Sequence, residues 1–146
     1  MNDREQRKRG AAPSQQMMFS LISAARSIEK RYDDALAQVG LSGPKYAVLT
    51  HLLQAGEPLS LSACAEKMTC VRSNITQLMD RLEGDGLVER VEDPTDRRAV
   101  RATVTPLGVK RQAAGTLEVE RVQKEFAKTL AGIDQDTLQR ALDALR

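Results

Sequence analysis

Between Arg72 and Gln77 the chain sets Arg, Ser, Asn, Thr and Gln around a single apolar residue, Ile75. These side chains carry guanidinium, hydroxyl and amide groups, so their chemistry is hydrogen bonding to planar edges and phosphate oxygens, not covalent attack. A second polar group follows at Asp93, Asp96, Arg97 and Arg98, around Pro94. Catalytic alternatives have little material. The chain has no glycine-rich phosphate loop and no nucleophile beside a histidine and a carboxylate. One histidine, His51, against two cysteines, Cys64 and Cys70, is too few for a zinc site. The expectation is a protein that is not an enzyme and holds no metal or cofactor.

The elements around these residues give them a setting. Ile75, Leu78, Met79 and Leu82 recur at i, i+3, i+4 and i+7, so residues from about 72 form a helix ended by Gly84 and Gly86. With that face inward, Arg72, Ser73, Thr76 and Gln77 point outward, and Asn74 lies near the edge. Ser60 can cap a shorter helix through about Met68, joined to the first by a tight connection. The period then changes: Val100, Ala102 and Val104 alternate with Arg101 and Thr103, as in a strand with one wet face, and Leu87 to Val91 is its partner. AspProThrAspArgArg, residues 93–98, reads as the hairpin loop. Two short helices followed by a hairpin make a helix-turn-helix with a wing. A helix fits the major groove of duplex DNA, its first residues reach base edges, and its first amides favour phosphate.

Flanking this unit, Leu21, Ile22, Ala25, Ile28, Tyr32, Leu36 and Val39 mark an amphipathic helix running to about Gly40. Ser42 and Pro44 open another helix that ends at Gly56. Thr105 and Pro106 open a fifth, weakened locally by Gly108 and Gly115, and a last one starts near Asp134. Leu117, Val122, Phe126, Leu130, Leu138, Leu142 and Leu145 exceed what one small domain needs to bury. The fold class is therefore mainly α with a small β wing. Residues 1–13 read as a flexible tail, 14–40 and 106–146 as dimerisation helices, and 41–105 as the winged helix-turn-helix. A homodimer follows, because one winged domain reads few base pairs whereas two copies match a palindrome.

Composition bounds this reading. With 146 residues, 41% hydrophobic and 3% aromatic, the chain makes one modest aliphatic core. No apolar run reaches the roughly 18 residues of a membrane span, and no signal peptide opens the chain, so the expected compartment is the cytoplasm. The net charge of +2 is silent about nucleic acid, and residues 72–101 hold six Arg against seven Asp plus Glu.

Residues 41–108 resemble the multiple-antibiotic-resistance regulator (MarR) family of bacterial repressors. The resemblance rests on LeuSerGlyProLysTyrAlaValLeu, LeuSerLeuSerAlaCysAlaGluLysMet, ArgSerAsnIleThrGlnLeuMetAspArgLeuGluGlyAspGlyLeuValGluArg and, most specifically, AspProThrAspArgArgAlaValArgAlaThrValThrProLeuGly. It implies a transcriptional regulator, a repressor, that binds a palindromic operator as a dimer and is released by a small molecule. It also implies that Arg98 enters the minor groove, oriented by Asp96, where a narrow groove concentrates negative potential. The family binds small aromatic or phenolic effectors between its dimerisation helices and winged domain, for which Arg26, Tyr32, Tyr46 and His51 are candidates here. This chain departs from the family pattern at Cys64, Thr69, Cys70 and Val71, in place of the usual Leu, Gly, Val and Ser.

The cysteines have two readings. They fill the core as small hydrophobes, with thiols slowed by burial, or Cys64 and Cys70 form a redox switch that distorts the recognition helix when oxidised. A protein-interaction module that keeps the winged fold without binding DNA is the remaining alternative, raised by the acidic residues near the wing.

Overall fold

The computed structural model describes residues 3–68 and 72–146, with side chains from Ser14 to Met68 and from Asn74 onward. Among the described residues six helices and three short strands follow one another: α1 (Asp3–Ala37), α2 (Gly43–Ala55), β1 (Leu59–Ser60), α3 (Leu61–Met68), α4 (Arg72–Gly84), β2 (Val88–Glu92), β3 (Val100–Val104), α5 (Pro106–Thr129) and α6 (Gln135–Asp143). The helix α1 already begins at Asp3, within the segment expected as a tail. Arg4, Glu5, Gln6, Arg7 and Lys8 are all good helix formers, a preference that reading Gly10 and Pro13 as breaks overlooked.

Caps set the helix starts. The Ser42 hydroxyl accepts the Lys45 amide of α2, the Thr105 hydroxyl accepts the Gly108 amide of α5 at 3.0 Å, and Asp134 accepts from Asp136 and Thr137 at the start of α6. After α4 the chain turns at Gly86, whose φ of 73° is a conformation that a side chain disfavours. The Thr105 hydroxyl also donates to the Gly86 carbonyl at 2.6 Å, so one residue caps α5 and pins the turn that ends α4.

The sheet is antiparallel in the order β1-β3-β2. Val88 pairs with Val104, Arg90 with Ala102 and Glu92 with Val100, so the expected hairpin is present. The strand β1 was not anticipated. Leu59 pairs with Ala102 and Ser60 with Arg101, yet the Ser60 hydroxyl still accepts the Ala63 amide at 3.1 Å and caps α3 as its sequence suggested. A two-residue strand is too short to show a period.

The core lies where α2, α3 and α4 meet the sheet. Leu49, Ile75, Met79, Leu82, Leu87 and Ala102 are fully buried, joined by Val48, Leu52, Cys64 and Val88. Each large aliphatic side chain there contributes about 1.5–3 kcal/mol of burial. Among the described residues α1 adds Ala35 and Leu36 to the buried set, and α5 adds Gly108, Gly115 and Val119. The rest of the α1 apolar face is open: Met18, Phe19, Ile22 and Ile28 are exposed, as are Leu117 and Phe126 of α5 and Leu142 and Leu145 of α6.

Candidate nucleic-acid interface

Burial fixes which side of α4 faces out. Ile75, Met79 and Leu82 have no exposed surface and Leu78 is half-buried, so the helix cannot rotate without emptying the core. Asn74, Thr76 and Gln77 are consequently exposed. Arg72 and Ser73 open α4, but their side chains lie outside the described residues, as do Thr69, Cys70 and Val71 entirely. Asn74 and Gln77 line a groove of about 430 Å³ with Pro44, Met68, Leu78 and Arg81. Arg81 is an addition to the expected set. It stands seven residues beyond Asn74, two helical turns along the same face, and that spacing was the signal for it.

The wing is built from two carboxylates in series. One Asp93 oxygen accepts the Thr95 amide at 2.8 Å and the Thr95 hydroxyl at 2.7 Å; the other accepts Arg101 Nε at 2.7 Å. The Thr95 amide and hydroxyl, then the Arg101 guanidinium, hold the Asp93 carboxyl well below the usual carboxylate range. The second carboxylate, Asp96, accepts the Arg98 amide at 2.9 Å. The Asp93 amide donates to the Ala99 carbonyl at 3.2 Å and closes the loop. Asp96 therefore shapes the backbone at Arg98. The Arg98 guanidinium itself makes no ion pair among the described residues.

Charge pairing alters the even balance read from the sequence. Arg90 of β2 reaches across to Asp80 and Glu83 of α4, the latter at 2.7 Å; Lys45 pairs with Asp85 at 2.6 Å, and Arg101 with Asp93. Four of the seven carboxylates in residues 72–101 are thus engaged internally. Arg81, Arg97 and Arg98 are exposed and form no ion pair among the described residues. Arg90 and Arg101 are held in these pairs, so the exposed arginines Arg81, Arg97 and Arg98 are the ones placed to meet an anionic partner.

Of the four effector candidates Tyr32 and Tyr46 are close enough to interact, whereas Arg26 and His51 do not line the groove of Tyr32. Tyr32 lines a groove of about 570 Å³ between α1 and α5 with Ile28, Glu29, Val119, Val122 and Phe126, and burial pushes its phenol up. The Tyr46 hydroxyl is hydrogen-bonded to Thr116 at 3.0 Å. Arg26 lies in a different groove, with Phe19, Ile22 and Lys30. His51 is half-buried on α2 and lines neither groove.

Cys64 is 1% exposed in the core, and that burial raises its thiol pKa, with Lys67 opposing weakly. A thiol so placed is a poor nucleophile, which disfavours the redox reading. Its proposed partner Cys70 lies outside the described residues. Among the described residues no helix is long and apolar enough to cross a membrane.

A helix pair whose second member turns a polar face outward, backed by a three-stranded sheet whose hairpin carries exposed arginines, defines a winged helix-turn-helix protein. The model of the MarR family matches residues 41–100, the stretch that holds the helix pair and the wing hairpin, and the chain is similar to that family there. The chain is 35% identical over 89 residues to the uncharacterized HTH-type transcriptional regulator YsmB of Bacillus subtilis (strain 168), covering 61% of this chain. It spans 60% of that relative's length. In structure it resembles the transcriptional repressor CouR bound to a 23-mer DNA duplex, with a TM-score of 0.76 and 25% identity over 90% of this chain and 93% of that one. It also resembles CouR from Rhodococcus jostii RHA1 bound to p-coumaroyl-CoA, with a TM-score of 0.70 and 26% identity over 90% of each chain.

Proposed function

We propose that this chain is a DNA-binding transcriptional regulator, acting as a repressor, that grips an inverted repeat as a homodimer and is released by a small molecule. One observation carries the reading. The polar face of α4 and the wing arginines Arg97 and Arg98 are open to solvent, while the neighbouring carboxylates Asp80, Glu83 and Asp93 are paired within the protein. In that arrangement Asn74, Thr76 and Gln77 meet base edges in the major groove, and Arg72 and Ser73 lie at the helix end nearest the phosphates. Arg98 enters the adjoining minor groove from the wing. That CouR has been solved on a DNA duplex supports the same docking.

The homodimer follows from the bare apolar faces of α1, α5 and α6, which flank the winged domain. Two recognition helices held roughly 34 Å apart then match successive major grooves on one side of the duplex. The release mechanism rests on the groove between α1 and α5, whose lining of Ile28, Tyr32, Val119, Val122 and Phe126 suits an aromatic or phenolic effector. CouR bound to p-coumaroyl-CoA shows that a similar chain takes up a ligand with an aromatic acyl group.

The test is binding of the full chain to the duplex immediately upstream of its own coding region, followed by fluorescence anisotropy. Arg98→Ala is expected to lose several-fold affinity and to lower the salt slope by about 1. A wild-type chain that shows no salt-dependent binding to any duplex overturns the reading. An Ile22→Glu, Leu142→Glu double variant is expected to sediment as a monomer and to lose operator binding with its winged domain still folded.

A further inference from the structure

The Arg101–Asp93 pair ties the wing loop to the strand that follows it, with the Arg101 side chain 36% exposed. Arg101 sits on β3, opposite Ser60 of β1. Its Nε reaches Asp93 at 2.7 Å, and its Nη1 donates to the Pro58 carbonyl at 3.3 Å. The Asp93 side chain is only 9% exposed, so the guanidinium is committed to a carboxylate that is almost out of water. With Nε and Nη1 engaged and its charge matched by Asp93, this guanidinium attracts a phosphate less than a free arginine does. It can instead tie three segments together: the loop through Asp93, the strand that carries it, and the chain entering β1.

The tie continues to the tip. The oxygen of Asp93 that does not face Arg101 holds the amide and hydroxyl of Thr95, and the next residue, Asp96, holds the Arg98 amide. Each link fixes backbone, and the last fixes the residue that points out. The even alternation of β3 hid this role, since Arg101 occupies the position of an ordinary solvent-facing strand residue.

We infer that Arg101 is a positioning residue for DNA binding: by holding Asp93 and the Pro58 carbonyl it sets the aim of Arg98 without touching DNA itself. This rests on the DNA-binding reading above, and it separates two arginines of one hairpin by function. A fork-shaped guanidinium is required, because one donor faces the carboxylate while another reaches the carbonyl. Lysine in its place keeps the charge and one of the two contacts.

The experiment is a double-mutant cycle on the full chain, with affinity measured across a series of salt concentrations. The probe is a duplex of roughly 30 base pairs, selected by the wild-type chain from a random pool and long enough for two half-sites. Arg98→Ala is expected to lower the log–log salt slope by about 1. Arg101→Met is expected to weaken binding several-fold, by no more than Arg98→Ala does, and to lower the slope by at most the same amount, because what is lost is the contact of Arg98. Adding Arg101→Met to Arg98→Ala is expected to cost less than about twofold more, since the residue being aimed is already gone. Arg101→Lys is expected to fall between wild type and Arg101→Met in both affinity and slope, and it carries the cycle if Arg101→Met does not fold.

A slope that falls by a further unit when Arg101→Met is added to Arg98→Ala means that Arg101 itself contacts phosphate, and overturns the inference alone. Losses that multiply in the double variant mean two independent contributions and do the same. A wild-type chain that selects no duplex overturns the DNA-binding reading and this inference with it.

Discussion

Gly108 approaches Leu87 so closely that a Cβ on the glycine would stand 2.0 Å from the Leu87 carbonyl oxygen. The Val104 side chain would lie 2.6 Å away. That carbonyl accepts the Thr105 amide at 3.1 Å, so it is held in place and cannot yield. Gly115 plays a similar part, with the Tyr46 ring 2.9 Å from where its Cβ would be. Two residues that read as weak points of a helix are where α5 meets the rest of the fold.

Gly108→Ala is therefore expected to destabilise the protein, although alanine gains about 1 kcal/mol of helix propensity. Overpacking typically costs about 1–3 kcal/mol, and against a held backbone carbonyl the upper end applies, so a net loss of roughly 2 kcal/mol follows. Gly132, with nothing within 4 Å of its would-be Cβ, is the control: Gly132→Ala is expected to be neutral or slightly stabilising. Urea melts of the two variants check this, and a Gly108→Ala protein as stable as wild type would contradict the packing described.

At the wing tip, Asp96 and Arg98 give a test of what the carboxylate is for. Asp96 accepts the Arg98 amide, and asparagine retains that acceptor while removing the charge. Asp96→Asn is expected to bind DNA at least as tightly as wild type at low salt, having lost a repulsion from phosphate. Asp96→Ala, which loses the turn, is expected to bind several-fold more weakly. Equal losses in both variants would show that the negative charge, not the turn, is what matters.

The pH dependence of stability has a sign set by Asp93. Its folded carboxyl is held below its ordinary value of 3.8, so the unfolded chain takes up the proton first as pH falls. The stabilisation is fully present above that ordinary value and is lost as pH drops through it toward the folded value. The urea midpoints of wild type and Asp93→Asn are expected to differ by a constant amount from pH 7 to about pH 5 and to converge below about pH 4. A gap that widens on acidification would reverse the assigned shift.

Cys64 is expected to be protected from alkylation by iodoacetamide in the native state, on the order of 100-fold relative to the urea-unfolded chain, because core burial both blocks access and raises the thiol pKa. Cys64→Ser is expected to cost about 1–3 kcal/mol by placing a hydroxyl in that core. Mass spectrometry of the labelled peptide measures the first and denaturant unfolding the second. Native-state labelling as fast as unfolded would restore a redox role to this residue.

Much of the architecture was legible in the chain because it is specified locally. The alternation of Val100, Ala102 and Val104 located β3, the Ser42, Ser60, Thr105 and Asp134 side chains marked where helices begin, and the Ile75, Met79, Leu82 stripe oriented α4. Capping and periodicity act over one or two turns, so they can be read residue by residue. The same local signals exposed Asn74, Thr76 and Gln77 as the outward set.

Other features depend on residues that meet only after folding. Lys45 reaches Asp85 across 40 positions, and Arg101 reaches the Pro58 carbonyl across 43, so neither leaves a periodic trace. The count of six arginines against seven carboxylates was correct, yet it said nothing of which charges cancel. Packing β2 against α4 gave Arg90 two partners, and the hairpin gave Arg101 one, leaving Arg97 and Arg98 to face solvent. The sum of charges belongs to the sequence; their availability is decided by distance, which only the tertiary structure supplies.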